Sequence, residues 1–252
     1  MERLVDLFKV IFSLISLLGL LTQCTSEELD RLVSDENFYY RVIDENNIAV
    51  GGLKTYPESG VVFFPEKFEN YTVSRLGFSM GTTGTTGSFA QLSNEKDGKR
   101  ITIKRCYFPH TIKEIKSPYM ALSNEHLKIF YCGDVVDLVG FDDSSRGYDI
   151  YVPAEKYELF KNTLSKYFSG NLLKANVSYY LNYDENNYYY IDYYENGEKI
   201  LYIPPNPQRD GYTFGGWIKE AECITQWIFD TDTVQISEEM QEIKLYAQWI
   251  AE

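Results

Sequence analysis

The sequence predicts a mainly β fold with some α, laid out as a short irregular solenoid of strands followed by a smaller strand-rich module. Three observations carry this prediction. The 252 residues include 22 tyrosines and 15 phenylalanines, and aromatic side chains fit a half-buried pleated surface better than a helix interior. Apolar-Pro pairs recur at one step: Phe64-Pro65, Phe108-Pro109 and Val152-Pro153 stand 44 residues apart, with Val62, Cys106 and Ile150 two positions before each apolar partner. A period of that size marks stacked units, each too small to bury its own apolar face. Finally, the C-terminal end changes character. It runs from Pro204-Pro205-Asn206-Pro207 through a glycine-punctuated aromatic turn, Gly211-Tyr212-Thr213-Phe214-Gly215-Gly216-Trp217, to a closing strand, Leu245-Tyr246-Ala247-Gln248-Trp249.

Composition sets the outer bounds. The length suffices for two modest domains, and 44% hydrophobic content argues for a real core rather than disorder. A net charge of −13 opposes unspecific attraction to phosphates, so no nucleic-acid partner is expected.

Taken in chain order, the N-terminus reads as a leader. After Arg3 and Lys9, Val10 to Thr22 is free of charge; as a helix this would span about 20 Å, short of the roughly 30 Å hydrocarbon core. That length suits the apolar region of a signal peptide, residues 1–23. Extending the apolar stretch back to Leu4 gives the alternative, an uncleaved membrane anchor. Residues 24–37, polar and acidic, read as a tether.

Residues 38–172 form the repeat region. Each proline of the 44-residue series marks a strand terminus or edge, because proline cannot donate to a ladder, and the step has room for two units of about 22. Alternating segments lie between them: Tyr71–Leu76, Ile101–Ile103, Ile112–Ile115 and Leu127–Tyr131. Gly81 to Gly98 is an insertion-like polar stretch, its Gly81–Gly87 part a surface loop. Past Pro153, the residues Tyr157, Phe160, Leu164, Tyr167 and Phe168 fall at helical spacing, predicting a helix that caps the open end of the stack, with Pro153 in its first turn. Ser169-Gly170-Asn171 then stops it.

Residues 173–252 are the second module. Eight tyrosines fall between Tyr179 and Tyr194. In a strand, Tyr188, Tyr190 and Tyr194 face one way and Tyr189, Ile191 and Tyr193 the other, so one aromatic face is core and the second either packs on the neighbouring module or is exposed. Tyr188, Tyr190 and Tyr194 are the candidate binding surface, because exposed tyrosines give rigid contact area with a polar tip.

Patterns that invite a catalytic reading fail on context. Gly77-Phe78-Ser79-Met80-Gly81 spells the nucleophile elbow, which needs a strand, a sharp turn and then a helix, yet Gly81-Thr82-Thr83-Gly84-Thr85-Thr86-Gly87 follows. The histidines, His110 and His126, come too soon after Ser79 for that fold. The glycine stretch has neither phosphate-loop nor dinucleotide spacing. Carboxylates at Asp142-Asp143, Asp184-Glu185 and Asp230/Asp232 lack calcium-loop spacing and read as solvated turns. No metal and no cofactor is expected, and no residue is assigned as catalytic. Cys106, Cys132 and Cys223 read as small apolar residues, with a Cys106–Cys132 pair on neighbouring strands as the alternative.

Three resemblances add to this. The Pro-rich approach, the Gly-Tyr-Thr-Phe turn with Trp217, and the Leu-Tyr-Ala-Gln-Trp end resemble the Listeria–Bacteroides repeat, or internalin B-repeat, over roughly residues 174 to 250. That resemblance implies a small ubiquitin-like β-grasp module on an extracytoplasmic surface protein. Val61–Pro65 with Tyr71–Gly77, Phe108–Ile115 and Asp149–Pro153 resemble BspA-type leucine-rich repeats over roughly residues 38 to 170, implying a solenoid that presents one face to a partner. Leu21-Thr22-Gln23-Cys24 looks like a lipobox, which implies cleavage and lipidation of Cys24, although Gln23 stands where that family has Gly, Ala or Ser.

Together these lead to an expected function: a non-enzymatic bacterial cell-surface lipoprotein of the cell envelope. It would be monomeric, held at the membrane by its lipid or an uncleaved anchor, and adhesive toward a protein or glycan ligand. A structural spacer that projects the solenoid, and a hydrolase built on Ser79 and His110, are the alternatives.

Overall fold

The computed structural model describes residues 31–79, 86–87, 93–96, 99–115, 127–134, 149–164, 170–183 and 188–252. The leader, Cys24, His126, Asp142-Asp143, Asp184-Glu185 and most of the insertion lie outside these residues.

In chain order the elements open with β1 (Leu32–Ser34), β2 (Phe38–Val42), β3 (Asn47–Leu53), β4 (Val61–Phe63), β5 (Lys67–Phe68) and β6 (Tyr71–Leu76). In and around the insertion come β7 (Phe78–Ser79), β8 (Thr86–Gly87), β9 (Ser93–Lys96) and β10 (Lys99–Thr102). There follow β11 (Arg105–Phe108), β12 (Glu114–Ile115), β13 (Lys128–Tyr131), β14 (Asp149–Val152), helix α1 (Tyr157–Thr163) and β15 (Asn171–Lys174). The chain ends with β16 (Val177–Tyr180), β17 (Tyr188–Asp192), β18 (Tyr212–Ile218) and β19 (Ile243–Ala251). The protein is therefore mainly β.

Local chemistry sets the first turns. Asp35 Oδ1 accepts the backbone N–H groups of Asn37 and Phe38 at 2.7 and 2.6 Å. Asp44 Oδ1 does the same for Asn46 and Asn47 at 2.9 and 2.8 Å. Such Asx turns reverse the chain without needing glycine, and they join β1 to β2 and β2 to β3 as antiparallel pairs. The segment read as a tether thus already contains a strand of the first sheet.

Beyond this meander the chain stacks in parallel. β3, β6 and β12 pair in parallel, with Ile48 opposite Val73 and Leu76 opposite Ile115. A second parallel sheet runs β15-β14-β13-β11-β4. Its register puts Val62 beside Cys106, Cys106 beside Ile129, Ile129 beside Ile150 and Ile150 beside Leu172. β13 falls between β11 and β14, so the 44-residue step holds two units of about 22 there. Alternation along each strand gives this sheet two buried faces, as all-parallel sheets require. Val62, Phe64, Cys106, Phe108, Ile129, Tyr131, Ile150 and Val152 meet Tyr40, Val42, Ile48, Val50, Val73 and Leu76 of the first sheet in one core. Tyr107, Phe130 and Tyr151 face the opposite way and enter a second core with the C-terminal residues.

The helix departs from expectation in its end and its role: it stops at Thr163, with Leu164 already extended, and Tyr167, Phe168 and Ser169 lie outside the described residues. A 3-10 turn at Ala154–Lys156 starts from Pro153 and leads into α1, whose Phe160 is buried against Tyr131 at 5.5 Å between ring centroids. The stack does not end there. β15 follows and adds to the edge of the second sheet, Asp149 opposite Asn171, with the Asn171 amide donating to the Asp149 carboxylate at 2.8 Å. The helix is a crossover between parallel neighbours, and the sheet runs two residues past the boundary read at 172.

The C-terminal sheet has the order β17-β16-β19-β18, with β16 and β19 parallel at its centre and antiparallel strands at both edges. Val177, Tyr179, Trp217, Trp227, Val234, Leu245 and Ala247 fill its interior. Three layers result: first sheet, parallel sheet and C-terminal sheet, with a core in each gap.

Candidate functional site

The alternating residues of β4, β11, β13 and β14 line up in register. Phe63, Tyr107, Phe130 and Tyr151 accordingly form a column, with successive ring centroids 4.1, 4.7 and 4.8 Å apart and planes within 16°. Those spacings follow the distance between hydrogen-bonded strands.

The edge strand β17 lies on this column. Tyr190 meets Phe63 edge-on at 5.2 Å, and its hydroxyl donates to the Phe64 carbonyl at 2.7 Å. Tyr193 packs on Tyr151 at 5.2 Å. The Tyr188 hydroxyl donates to Glu155, at the start of the helical segment. At one end of the joint Arg105 pairs with the fully buried Asp192. The Arg105 Nε lies 2.8 Å from the Tyr107 hydroxyl, which itself donates to Asp192 Oδ2 at 2.8 Å, and the Tyr193 N–H donates to Oδ1 at 2.7 Å. The guanidinium also sits 4.6 Å from the Phe130 ring centroid and 4.8 Å from that of Tyr202.

Burial pushes the Asp192 carboxyl up to about 6, against the pull of Arg105 and its hydrogen-bond donors. Burial also pulls the Arg105 guanidinium down, but Asp192, Tyr107 and Tyr194 together outweigh it and the net shift is upward. The pair ties β11 of the repeat region to β17 of the C-terminal module.

This geometry corrects the candidate binding surface. Tyr188, Tyr190 and Tyr194 are all buried. Tyr188 and Tyr190 pack toward the repeat sheet, while the Tyr194 hydroxyl accepts the Leu201 and Tyr202 N–H groups at 3.1 and 3.0 Å. The second aromatic face is covered by the neighbouring module, the other outcome the alternation allowed.

Among the described residues, Ser79 and His110 lie in separate parts of the chain, at the end of β7 and after β11. Ser79 ends β7, which pairs antiparallel with β8; the residues that follow it, 80–85, lie outside the described residues. His110 Nδ1 lies 3.0 Å from Glu66 Oε1. Asp232 takes part in a turn, accepting the Ile228 N–H at 2.8 Å and pairing with Lys219 at 3.0 Å. Cys106, Cys132 and Cys223 are free thiols. Cys106 sits in the first core and Cys132 in the second, on opposite sides of the parallel sheet, so the alternative pairing does not occur. Among the described residues no group of three His, Cys, Asp or Glu converges to hold a metal, and no helix is long and apolar enough to cross a membrane.

A feature outside the sequence reading lies at the far edge of the C-terminal sheet. Asn206 to Tyr212, with Phe214 and Glu252, line an open groove of about 450 Å³. The Arg209 guanidinium covers the Tyr212 ring at 3.9 Å, with Tyr183 at 4.8 Å and Trp249 at 5.9 Å. Tyr183 and Tyr212 are exposed. The sequence signal was Arg209 three residues before Tyr212, in a proline- and glycine-bounded loop.

Fold and site together define a mainly β protein in which a parallel strand stack carries a docked, mixed four-stranded module. Within it, residues 179–248, a little over a quarter of the chain, match the family model of the Listeria-Bacteroides repeat domain. That repeat family is associated with extracellular surface proteins. The search of curated proteins finds no match to this chain.

Proposed function

We propose that this chain is a non-enzymatic binding protein of the bacterial cell envelope, displayed outside the cytoplasm and adhesive toward a protein or glycan ligand. The observation that carries the reading is the match of residues 179–248 to a surface-associated repeat family. The sheets support a finer architecture. The parallel ladder with a step of about 22 residues fits a short BspA-like leucine-rich-repeat solenoid spanning residues 38–174. The parallel central pair flanked by antiparallel edges, β17-β16-β19-β18, fits a β-grasp module over residues 175–252. Cys24, after the apolar leader, is the lipid-bearing residue, and two or more acyl chains there would hold the chain stably at the membrane; the uncleaved anchor gives the same placement. The protein acts as a monomer. The spacer reading is less favoured, because β17 lies across the face of the stack.

The test uses the intact folded region, residues 25–252, on protein and glycan arrays. Saturable binding to a member of either class is expected. A chain that binds neither, while its deletion disrupts an envelope complex, would make it a spacer. Intact mass spectrometry of the membrane-fraction protein checks the anchor. Loss of residues 1–23 with added acyl mass is expected, and an unmodified chain from Met1 would overturn lipidation.

A further inference from the structure

The groove beside Arg209 narrows the ligand class, an inference that rests on the binding reading above. Arg209 has no carboxylate partner among the described residues, and the rings of Tyr212, Tyr183 and Trp249 hold its guanidinium in place. Asn206, Gln208 and Asp210 also line the groove and make no side-chain hydrogen bonds among the described residues, while Glu252 receives only a long contact from the Thr213 hydroxyl, 3.5 Å. An open groove thus gathers two amides, two carboxylates and one ring-held guanidinium, none of them in an ion pair among the described residues, beside an exposed tyrosine ring.

We infer that this groove binds a neutral oligosaccharide. Amides, carboxylates and guanidinium present planar pairs of donors or acceptors, and a sugar offers neighbouring hydroxyls that both donate and accept. The apolar C–H face of a pyranose can lie against the exposed part of Tyr212, a ring with an apolar body and a polar tip. An apolar peptide would fit poorly, since it would cover these groups without giving them partners, and a polar group left unpaired on desolvation is costly. An acidic sugar or a phosphate would meet two carboxylates against one guanidinium in the groove, on a chain of net charge −13. The mixed lining tolerates hydroxyls and repels anions.

The experiment titrates residues 25–252 by calorimetry and ligand-observed NMR with maltohexaose, cellohexaose, mannohexaose and chitohexaose, and with hexagalacturonate as the acidic counterpart. At least one neutral hexasaccharide is expected to saturate. The Asn206→Ala/Gln208→Ala variant, whose changes are on exposed loop residues, and Arg209→Met are each expected to weaken it at least tenfold, with unchanged circular dichroism. Ile224→Ala, at an exposed residue outside the groove lining, is expected to bind as the parent does. Absence of binding by every neutral probe, undiminished binding by the groove variants, or tighter binding of hexagalacturonate would each overturn the groove assignment. Capture of a protein on the arrays, with no saccharide bound, would overturn the groove while leaving the surface-binding function intact. Failure of both classes would overturn both.

Discussion

Arg105 and Asp192 are 87 positions apart in the chain and meet in a water-poor gap, so removing one is far costlier than removing both. Arg105→Met leaves a buried carboxylate with hydroxyl and amide donors but no cation. The expected loss is about 3–5 kcal/mol, read as a lower urea midpoint at pH 7. The double variant Arg105→Met/Asp192→Leu should recover most of that loss, because neither charge is then stranded. The pair also fixes a pH signature. The folded-state pKa of Asp192 is raised from 3.8 to about 6 by burial, so the folded chain binds that proton more tightly than the unfolded chain. Its contribution is fully present below about pH 4 and is lost as pH rises through 6. Two units at about 1.4 kcal/mol each give a change of about 3 kcal/mol. Unfolding free energies measured at intervals from pH 4.5 to 7 should show this decline, and Asp192→Asn should flatten it. Asp44 and Asp232 do not obscure the window: hydrogen bonding to backbone N–H groups moves both downward from 3.8, so they act at lower pH.

At the scale of elements, the approach of the chain to β4 depends on one glycine. Gly60 has φ of +70°, and a Cβ there would lie 2.6 Å from the Thr102 carbonyl oxygen. Its own carbonyl accepts the Lys104 and Arg105 N–H groups at 2.7 and 3.2 Å, which carries the chain from β10 into β11. Gly60→Ala meets both strain and a backbone clash, with an expected cost of about 1–3 kcal/mol, visible as a lowered thermal midpoint. Repulsion at this point should loosen β4 from β11, and faster amide exchange at Phe64, whose N–H donates to the Tyr107 carbonyl at 2.9 Å, is the second readout. The stack was legible because strand alternation and proline termini recur at one step, and the closing module because its aromatic turn is distinctive. β13 was harder to place, since Tyr131 is followed by Cys132-Gly133 rather than proline. The role of β15 was hidden by its short run, Asn171–Lys174, after a helical pattern that read as a terminus. The tyrosine stretch showed two aromatic faces, but its partner, the Phe63–Tyr151 column, comes from strands far away in sequence. Local periodicity tells which residues share a face and is silent on what covers it. The Arg209 groove was still less legible, because its residues carry no catalytic or metal-binding pattern and only the fold sets them around one space.

For the whole molecule, the central layer decides how it folds. The parallel sheet is apolar on both faces, and each face needs a different partner: the first sheet on one side, β17 and its neighbours on the other. A fragment ending at Lys174 would bare Phe63, Tyr107, Phe130 and Tyr151 to water and leave Arg105 without Asp192. A fragment beginning at Ala175 would bare Tyr188, Tyr190 and Tyr193 and leave Asp192 without Arg105. An exposed aromatic patch of that kind marks either an interface or an aggregation site. Residues 25–252 should therefore unfold in one calorimetric transition, with calorimetric and van't Hoff enthalpies in agreement. The separate halves, residues 25–174 and 175–252, should bind an apolar dye, lose near-ultraviolet dichroism and regain it when mixed. Two resolved transitions in the intact chain, or a 175–252 fragment as stable alone as within it, would mean that the joint is a passive contact. In that case Arg105→Met should shift neither transition, so the residue-scale and whole-molecule measurements test one lock from opposite ends.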